Sequence, residues 1–198
     1  MSHNAVGQVA NAQLERWKTA DMGTQRFVLS LARRAFDAYT LHHEIIECPK
    51  NIPDLLRGRA GVFVSAMDAK GAPRCCMGTI DPMEPDIAHE IVANAIAAAG
   101  NDRRFRPIKR EELNKLRLIV SIVGRPAPIA ESAARQIDPT RHGLVVKNGD
   151  RYGIMLSGET DKIGLMLKWG RIRAGAKPET KVEYLLIDDV RFVESIHI

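Results

Sequence analysis

The feature that most constrains the fold is the two-residue turn Asn148-Gly149, which lies between two apolar runs. Asn-Gly favours a tight hairpin turn, so Leu144–Lys147 and Arg151–Leu156 are predicted to pair as antiparallel strands. Single helices, rather than regular βαβ units, separate this hairpin from the other predicted strands. The sequence therefore predicts an α+β domain (an α/β mixed sheet) with helices packed on the sheet.

The rest of the chain supplies further strands and three helices. The apolar positions Val28, Leu31, Ala35 and Phe36 follow helical spacing, and Thr24 is the predicted N-cap of that helix. A second stripe covers Ile87–Ala99, and a third helix is predicted over Asp161–Arg173. The other predicted strands are Gly61–Met67, Arg74–Ile80, Arg117–Val123, Val182–Ile187 and Val190–Ile198.

The length of 198 residues suits one domain, with or without a small added lobe. Residues 1–23 are expected to form an N-terminal extension or a short helix, and residues 24–198 the domain itself. The Glu47–Ala60 loop and the Gly124–His142 stretch are the expected seams of a smaller lobe.

The composition restricts the kind of protein that this sequence can encode. The net charge is +5, which permits an anionic partner without requiring one. Three cysteines are too few for a disulfide framework and indicate a reducing compartment. No apolar stretch approaches the roughly 20 residues that span a bilayer. A cytoplasmic protein without membrane insertion is therefore expected.

The densest group of reactive side chains is Arg74-Cys75-Cys76-Met77-Gly78-Thr79. In a strand the two cysteines point to opposite faces, and Arg74 shares a face with Cys76. A guanidinium beside a thiol stabilises the thiolate, so Cys76 is a candidate nucleophile and Arg74 its stabiliser. Gly78 permits close approach to the backbone, and Thr79 offers a hydroxyl. The alternative is that the cysteines are buried hydrophobic side chains.

Four other residues are candidates for a site. His142 precedes a predicted strand, where it either transfers protons or caps a turn. Arg104 and Phe105 are suited to hold an anion and its apolar part, whereas Asp102 beside them suggests a local ion pair.

No metal-ligand spacing is present, so no metal site is predicted. Two basic sets would suit phosphate or nucleic acid if they met in space: Arg103, Arg104, Arg106, Lys109 and Arg110, and Lys168, Arg171, Arg173 and Lys177.

Pro73-Arg-Cys-Cys-Met-Gly-Thr79 resembles the Leu-Arg-Gly-Cys-Ile-Gly-Thr signature of the AMMECR domain family. Further landmarks follow in the family's order over about residues 26–194. These are Gly61–Val64, Asn101–Phe105, Glu112-Leu113, Val120-Ser121, His142–Leu144 and Gly153–Leu156. The chain departs from the signature most sharply at Cys75, where the family has glycine.

The resemblance implies a larger and a smaller subdomain with a cleft between them, near the signature. It implies no established activity and no cofactor, so the cofactor is unknown. Prokaryotic members occur beside, or fused to, a Memo-like protein and a radical SAM protein, which are therefore the implied partners. The residues that carry over by position are Arg74, Cys76, Gly78, Thr79, Asp102, Arg104, Phe105 and His142.

Three functions remain open at this point. The chain is an accessory protein that binds an anionic ligand or a partner, an enzyme that uses the Cys76 thiolate with Arg74 and His142, or, ranked well below these, a nucleic-acid-associated factor. Arg74, Cys76, Arg104 and His142 are expected to line one cleft if the landmarks serve a shared function.

Overall fold

The computed structural model describes residues 14–195. Contacts divide the chain into a larger unit, residues 15–123 with 190–195, and a smaller unit, residues 124–189 with Leu14. The division at Gly124 falls in one predicted seam, whereas the Glu47–Ala60 loop lies inside the larger unit. Helices and antiparallel strand pairs in both units confirm the predicted α+β class.

The larger unit contains a four-stranded sheet and two long helices. The elements are α1 (Met22–His42), β1 (Gly61–Met67), β2 (Pro73–Gly78), α2 (Ile87–Gly100), β3 (Arg117–Val123) and β8 (Asp189–Val193), with short 3₁₀ helices at Asp54–Arg57 and Arg110–Lys115. Strand β1 pairs antiparallel with both β2 and β3, and the strand order is β2-β1-β3-β8. Strand β2 is therefore an edge strand.

Both long helices bury the apolar stripes that the sequence predicts. Val28, Leu31, Ala35 and Phe36 of α1 are at most 1% exposed, and Ile87, Ile91 and Ala95 of α2 are fully buried. The predicted cap of α1 is wrong, because the Asp21 carboxylate accepts a hydrogen bond from the Thr24 N–H at 2.9 Å. Asp21 is therefore the N-cap, and Thr24 lies in the first turn.

The N-terminal segment contributes to the core of the larger unit. Residues 14–18 are helical, and Trp17 and Ala20 are buried. The Trp17 ring meets the Phe192 ring edge-on, with 5.9 Å between their centroids. Residues 1–13 of the predicted N-terminal extension or short helix lie outside the described residues.

The smaller unit is built on the Asn148-Gly149 hairpin. Asn148 pairs with Arg151, and Gly149 has φ +60°, a left-handed conformation that glycine adopts without strain. The elements are β4 (Ala127–Ile129), α3 (Glu131–Ala134), β5 (Gly143–Asn148), β6 (Arg151–Met155), α4 (Ile163–Arg173) and β7 (Glu183–Ile187). The sheet order is β4-β7-β5-β6, and every described pair in it is antiparallel.

Within residues 14–195, no helix has both the length and the apolar character that crossing a membrane requires.

Candidate functional site

The two adjacent cysteines of β2 lie in different environments. Cys75 is 1% exposed and packs in the hydrophobic core of the larger unit. Burial raises the pKa of its thiol to about 12, which keeps it protonated and unreactive at neutral pH. Cys76 is only partly buried. The predicted alternation is confirmed, and the residue that replaces the family's glycine, Cys75, is accommodated as a small apolar side chain.

Asp102 and Arg104 together satisfy the backbone of Cys76. The Cys76 N–H donates to Asp102 Oδ2 at 2.8 Å, and Arg104 Nη2 donates to the Cys76 carbonyl at 2.6 Å. The two side chains also form a bidentate pair, with Arg104 Nε 2.9 Å from Asp102 Oδ1 and Nη2 2.8 Å from Oδ2. They therefore occupy the position that a neighbouring strand would take beside the edge strand β2.

Asp102 and Arg104 each change the pKa of the other. Burial alone would raise the pKa of Asp102, but hydrogen bonds from Arg104 and from the Cys76 N–H outweigh it, so the pKa lies below its ordinary value. The hydrogen bond to Asp102 is the main cause of the raised pKa of Arg104, and the Cys76 side chain adds to it. Arg104 is thus a guanidinium that interacts with the Cys76 thiol.

The Arg74 side chain has several structural partners. Its Nε donates to Glu112 Oε1 at 2.6 Å, and its other nitrogens donate to Glu112 Oε2 and to the carbonyls of Arg106 and Pro107. The hydrogen bond from Arg74 lowers the pKa of Glu112. Arg74 therefore fastens the loop after α2 to the sheet edge, and its expected role as stabiliser of the Cys76 thiolate stays a prediction.

Thr79 is directed toward a buried carboxylate. Its hydroxyl donates to Glu90 of α2, which is 1% exposed. Glu90 also accepts 2.9 Å hydrogen bonds from the N–H groups of Met83 and Glu84, and a weaker one from Asn94. This network fixes the segment between β2 and α2. Thr79 has a structural partner of its own, independent of any ligand.

Gly78 and Phe105 have close neighbours within the larger unit. A Cβ at Gly78 would lie 2.3 Å from the Phe63 ring and 2.5 Å from the Val62 carbonyl, so only glycine fits there without movement. The close approach expected at Gly78 is therefore made by β1. The guanidinium of Arg104 lies over the Phe105 ring, 5.6 Å from its centroid, in a cation–π contact.

His142 belongs to the smaller unit, where its Nδ1 lies 2.6 Å from Asp188 Oδ1. The side chains of His142 and Asp188 are 37% and 33% exposed. This arrangement orients the imidazole ring and keeps it accessible to solvent. The expectation that His142 lines one cleft with Arg74, Cys76 and Arg104 stays a prediction.

The two basic sets differ in how many of their side chains have structural partners. In the second set, Arg171 donates to the Tyr184 hydroxyl and to three carbonyls, and Arg173 donates to Glu159 and to the Ile154 carbonyl. In the first set, only Arg104 takes part in an ion pair among residues 14–195. The members of the first set are all exposed.

Three carboxylates that organise the landmarks were not singled out as site residues. Glu112 follows a basic loop and Glu90 follows His89, so both suggest ordinary surface residues in sequence. Asp188 lies 46 residues after His142. The only sequence signal was the presence of Glu112 among the family landmarks. Side-chain pairing across such distances leaves no periodic pattern from which the other two follow.

Comparison with known proteins agrees with these landmarks. A family model described as AMMECR1 matches residues 29–187. A protein from Thermotoga maritima is 34% identical over 147 residues, which cover 73% of this chain and 83% of that protein. The protein CA_C1420 from Clostridium acetobutylicum is 37% identical over 131 residues, which cover 65% of this chain but 27% of that longer protein.

A solved structure has the same fold. The crystal structure of uncharacterized protein PH0010 from Pyrococcus horikoshii matches with a TM-score of 0.76 and 28% identity, covering 87% of this chain and 92% of that one. The family match spans most of the chain and includes the signature strand, Asp102–Phe105 and His142. The chain therefore belongs to the AMMECR1 family.

Proposed function

We propose that the chain is an accessory protein that binds an anionic ligand, or an acidic segment of a partner protein, beside the Cys76 thiol. The binding surface is the basic loop, defined as residues 103–110, together with the outer side of β2. The observation that carries the proposal is the attachment of this loop to Cys76 through Asp102 and Arg104.

The charge of the basic loop supports an anionic partner. Residues 103–110 contain five cations and no carboxylate, and all five side chains are exposed. Arg104 is partly neutralised by Asp102, whose side chain is 4% exposed. The other cations have no ion-pair partner among residues 14–195. A fixed cluster of this kind produces a positive potential that attracts anions.

The proposal is tested by alkylating Cys76 with two reagents of different charge. Iodoacetate is an anion and iodoacetamide is neutral, so their rate ratio at one thiol reports the local potential. A Cys48→Ser, Cys75→Ala background isolates the Cys76 reaction. We expect Arg103→Glu with Arg106→Glu to lower the iodoacetate-to-iodoacetamide ratio by about tenfold, because the reversal removes attraction to the anion.

The matched control reverses a charge outside the basic loop. Lys168→Glu changes an exposed lysine of the smaller unit and should leave the rate ratio unchanged. Added inorganic pyrophosphate should slow both alkylations in the background protein but not in the Arg103→Glu, Arg106→Glu variant. An equal ratio in all variants, without pyrophosphate protection, would contradict the proposed binding surface.

A second candidate function is an enzyme with Cys76 as nucleophile. It is supported by the electrostatic attraction between Arg104 and the Cys76 thiolate, and His142 with Asp188 is a candidate proton carrier. The two functions differ in one respect. Cys76→Ser abolishes the activity of an enzyme of this kind. If the chain is a binding protein, the same variant still binds pyrophosphate, and pyrophosphate still slows hydrogen exchange of the basic loop.

The partners remain proposals that follow from the family resemblance. A Memo-like protein and a radical SAM protein of the same genome are the first to test. The length of the Clostridium acetobutylicum relative supports association with other domains, since nearly three quarters of that protein lies outside the match. We expect the purified Memo-like protein to bind this chain, and charge reversal in the basic loop to weaken the complex.

A further inference from the structure

Cys48, Asp86 and His89 form a group of possible metal ligands away from the signature strand. Cys48 lies in the segment 43–53, which has no helix or strand, and Asp86 and His89 lie at the start of α2. One ligand atom from each residue lies within 4.8 Å of the other two. All three residues belong to the larger unit, so the group lies within one compact body.

The start of α2 holds two of the ligands in place. Asp86 is the N-cap of the helix and accepts a 2.9 Å hydrogen bond from the His89 N–H. The His89 ring nitrogen Nδ1 is 2.8 Å from the same carboxylate oxygen. Cys48 is partly buried against the hydrophobic core, which brings its sulfur to this helix end. The group is therefore built from two chain segments, 38 residues apart.

We propose that Cys48, Asp86 and His89 bind a divalent transition-metal ion, with zinc as the best match. A thiolate, an imidazole and a carboxylate are all ligands that Zn²⁺ takes in proteins. Ligands around a tetrahedral zinc at roughly 2.0–2.3 Å lie closer together than the 4.8 Å limit of this group. Binding therefore requires the three side chains to rotate toward the ion, which leaves the fourth position for water.

The ion would connect a segment without regular structure to a helix. Residues 43–53 join α1 to the 3₁₀ helix at Asp54–Arg57, and Ile46 and Ile52 pack beside Cys48 on the core. A bond from Cys48 to a metal held by α2 would restrict this segment further. The inference does not depend on the proposed function, because no residue of the basic loop or of β2 is a ligand.

Cobalt titration of the full-length chain, after removal of metals with a chelator, tests the site. Co²⁺ takes zinc's geometry and gives a near-ultraviolet charge-transfer band only when a thiolate is bound. We expect this band in the wild type, its loss in Cys48→Ser, and its retention in Cys76→Ser. Added Zn²⁺ should displace the cobalt and remove the band. Histidine-only sites, such as His42-His43, give no such band.

His89→Ala distinguishes a three-ligand site from a lone thiol. We expect the cobalt affinity to fall by about tenfold or more, while near-ultraviolet circular dichroism confirms that the variant is folded. Zn²⁺ should also slow proteolysis within residues 43–53 of the wild type but not of Cys48→Ser. Absence of the thiolate band overturns the proposal, as does a band that Cys76→Ser removes or that His89→Ala leaves at full affinity.

Discussion

The two units hold their polar landmarks in different ways. In the larger unit, Glu90 and the Asp102 side chain are almost fully buried, and each holds a neighbouring segment through several hydrogen bonds. In the smaller unit, the His142–Asp188 pair is about one third exposed. Thr79 and Asp102 in the larger unit are therefore first requirements of folding, whereas His142 is available for chemistry at little expense to stability.

The largest effect is expected at Glu90. Glu90→Ala removes the buried acceptor of the Thr79 hydroxyl and of two backbone N–H groups, so the free energy of unfolding should fall by about 3 kcal/mol. Urea unfolding measures this change. Glu111→Ala removes an exposed carboxylate of the same unit and is the control, with a change below about 0.5 kcal/mol. An equal fall in the free energy of unfolding for Glu90→Ala and Glu111→Ala would contradict the structural role of Glu90.

A smaller loss is expected at Asp102. Asp102→Ala removes the acceptor of the Cys76 N–H and the partner of Arg104, so unfolding should become easier by about 2 kcal/mol. Because the pKa of Asp102 is lowered by folding, its contribution is present above the unfolded pKa of about 3.9 and is lost as pH falls. The gap between wild type and variant should narrow in acid, and a constant gap would contradict this account.

Substitution of Arg74 is expected to change mainly the stability of the protein, and substitution of Arg104 the reactivity of the Cys76 thiol. Arg104→Gln is expected to slow iodoacetamide alkylation of Cys76 by roughly threefold, because it removes a cation that attracts the thiolate. Arg74→Gln should leave that rate nearly unchanged. It should lower the free energy of unfolding by about 1 kcal/mol, because it removes the ion pair with Glu112. A rate that responds to Arg74 rather than Arg104 would instead support the role that the sequence predicts for Arg74.

The smallest change in stability is expected at His142. His142→Ala should lower the free energy of unfolding by about 0.5 kcal/mol, since the pair with Asp188 is partly solvated. If His142 shares one cleft with Cys76, as the sequence predicts, the same variant should alter the pH profile of Cys76 alkylation. An unchanged profile would assign His142 to a separate role and would count against the enzyme with Cys76 as nucleophile and His142 as proton carrier.

Periodic patterns account for what was predictable in the fold. The α1 and α2 stripes, the Asn148-Gly149 hairpin and the strand Arg117–Val123 were predicted because each repeats a local rule. The short elements β4 and α3 were missed, since three or four residues carry no usable period and β4 contains Pro128.

In the candidate site, too, local patterns were predictable from the sequence and long-range contacts were not. Alternation along a strand correctly separated Cys75 from Cys76, because it depends only on neighbouring residues. The partners of Arg74 and Thr79 did not follow from the sequence. Glu112 lies 38 residues from Arg74, and nothing local marks it as the preferred acceptor. Long-range pairing of charged groups is decided by the packed fold, which no local sequence pattern reports.

The Asp102–Arg104 pair has a consequence for self-association. An edge strand with an open N–H and C=O is a template on which a second molecule can add a strand. At Cys76 both groups are already bonded to side chains, so β2 is blocked at its centre. Asp102 thus protects the protein from intermolecular sheet growth, and its loss would favour aggregation of molecules that are still folded.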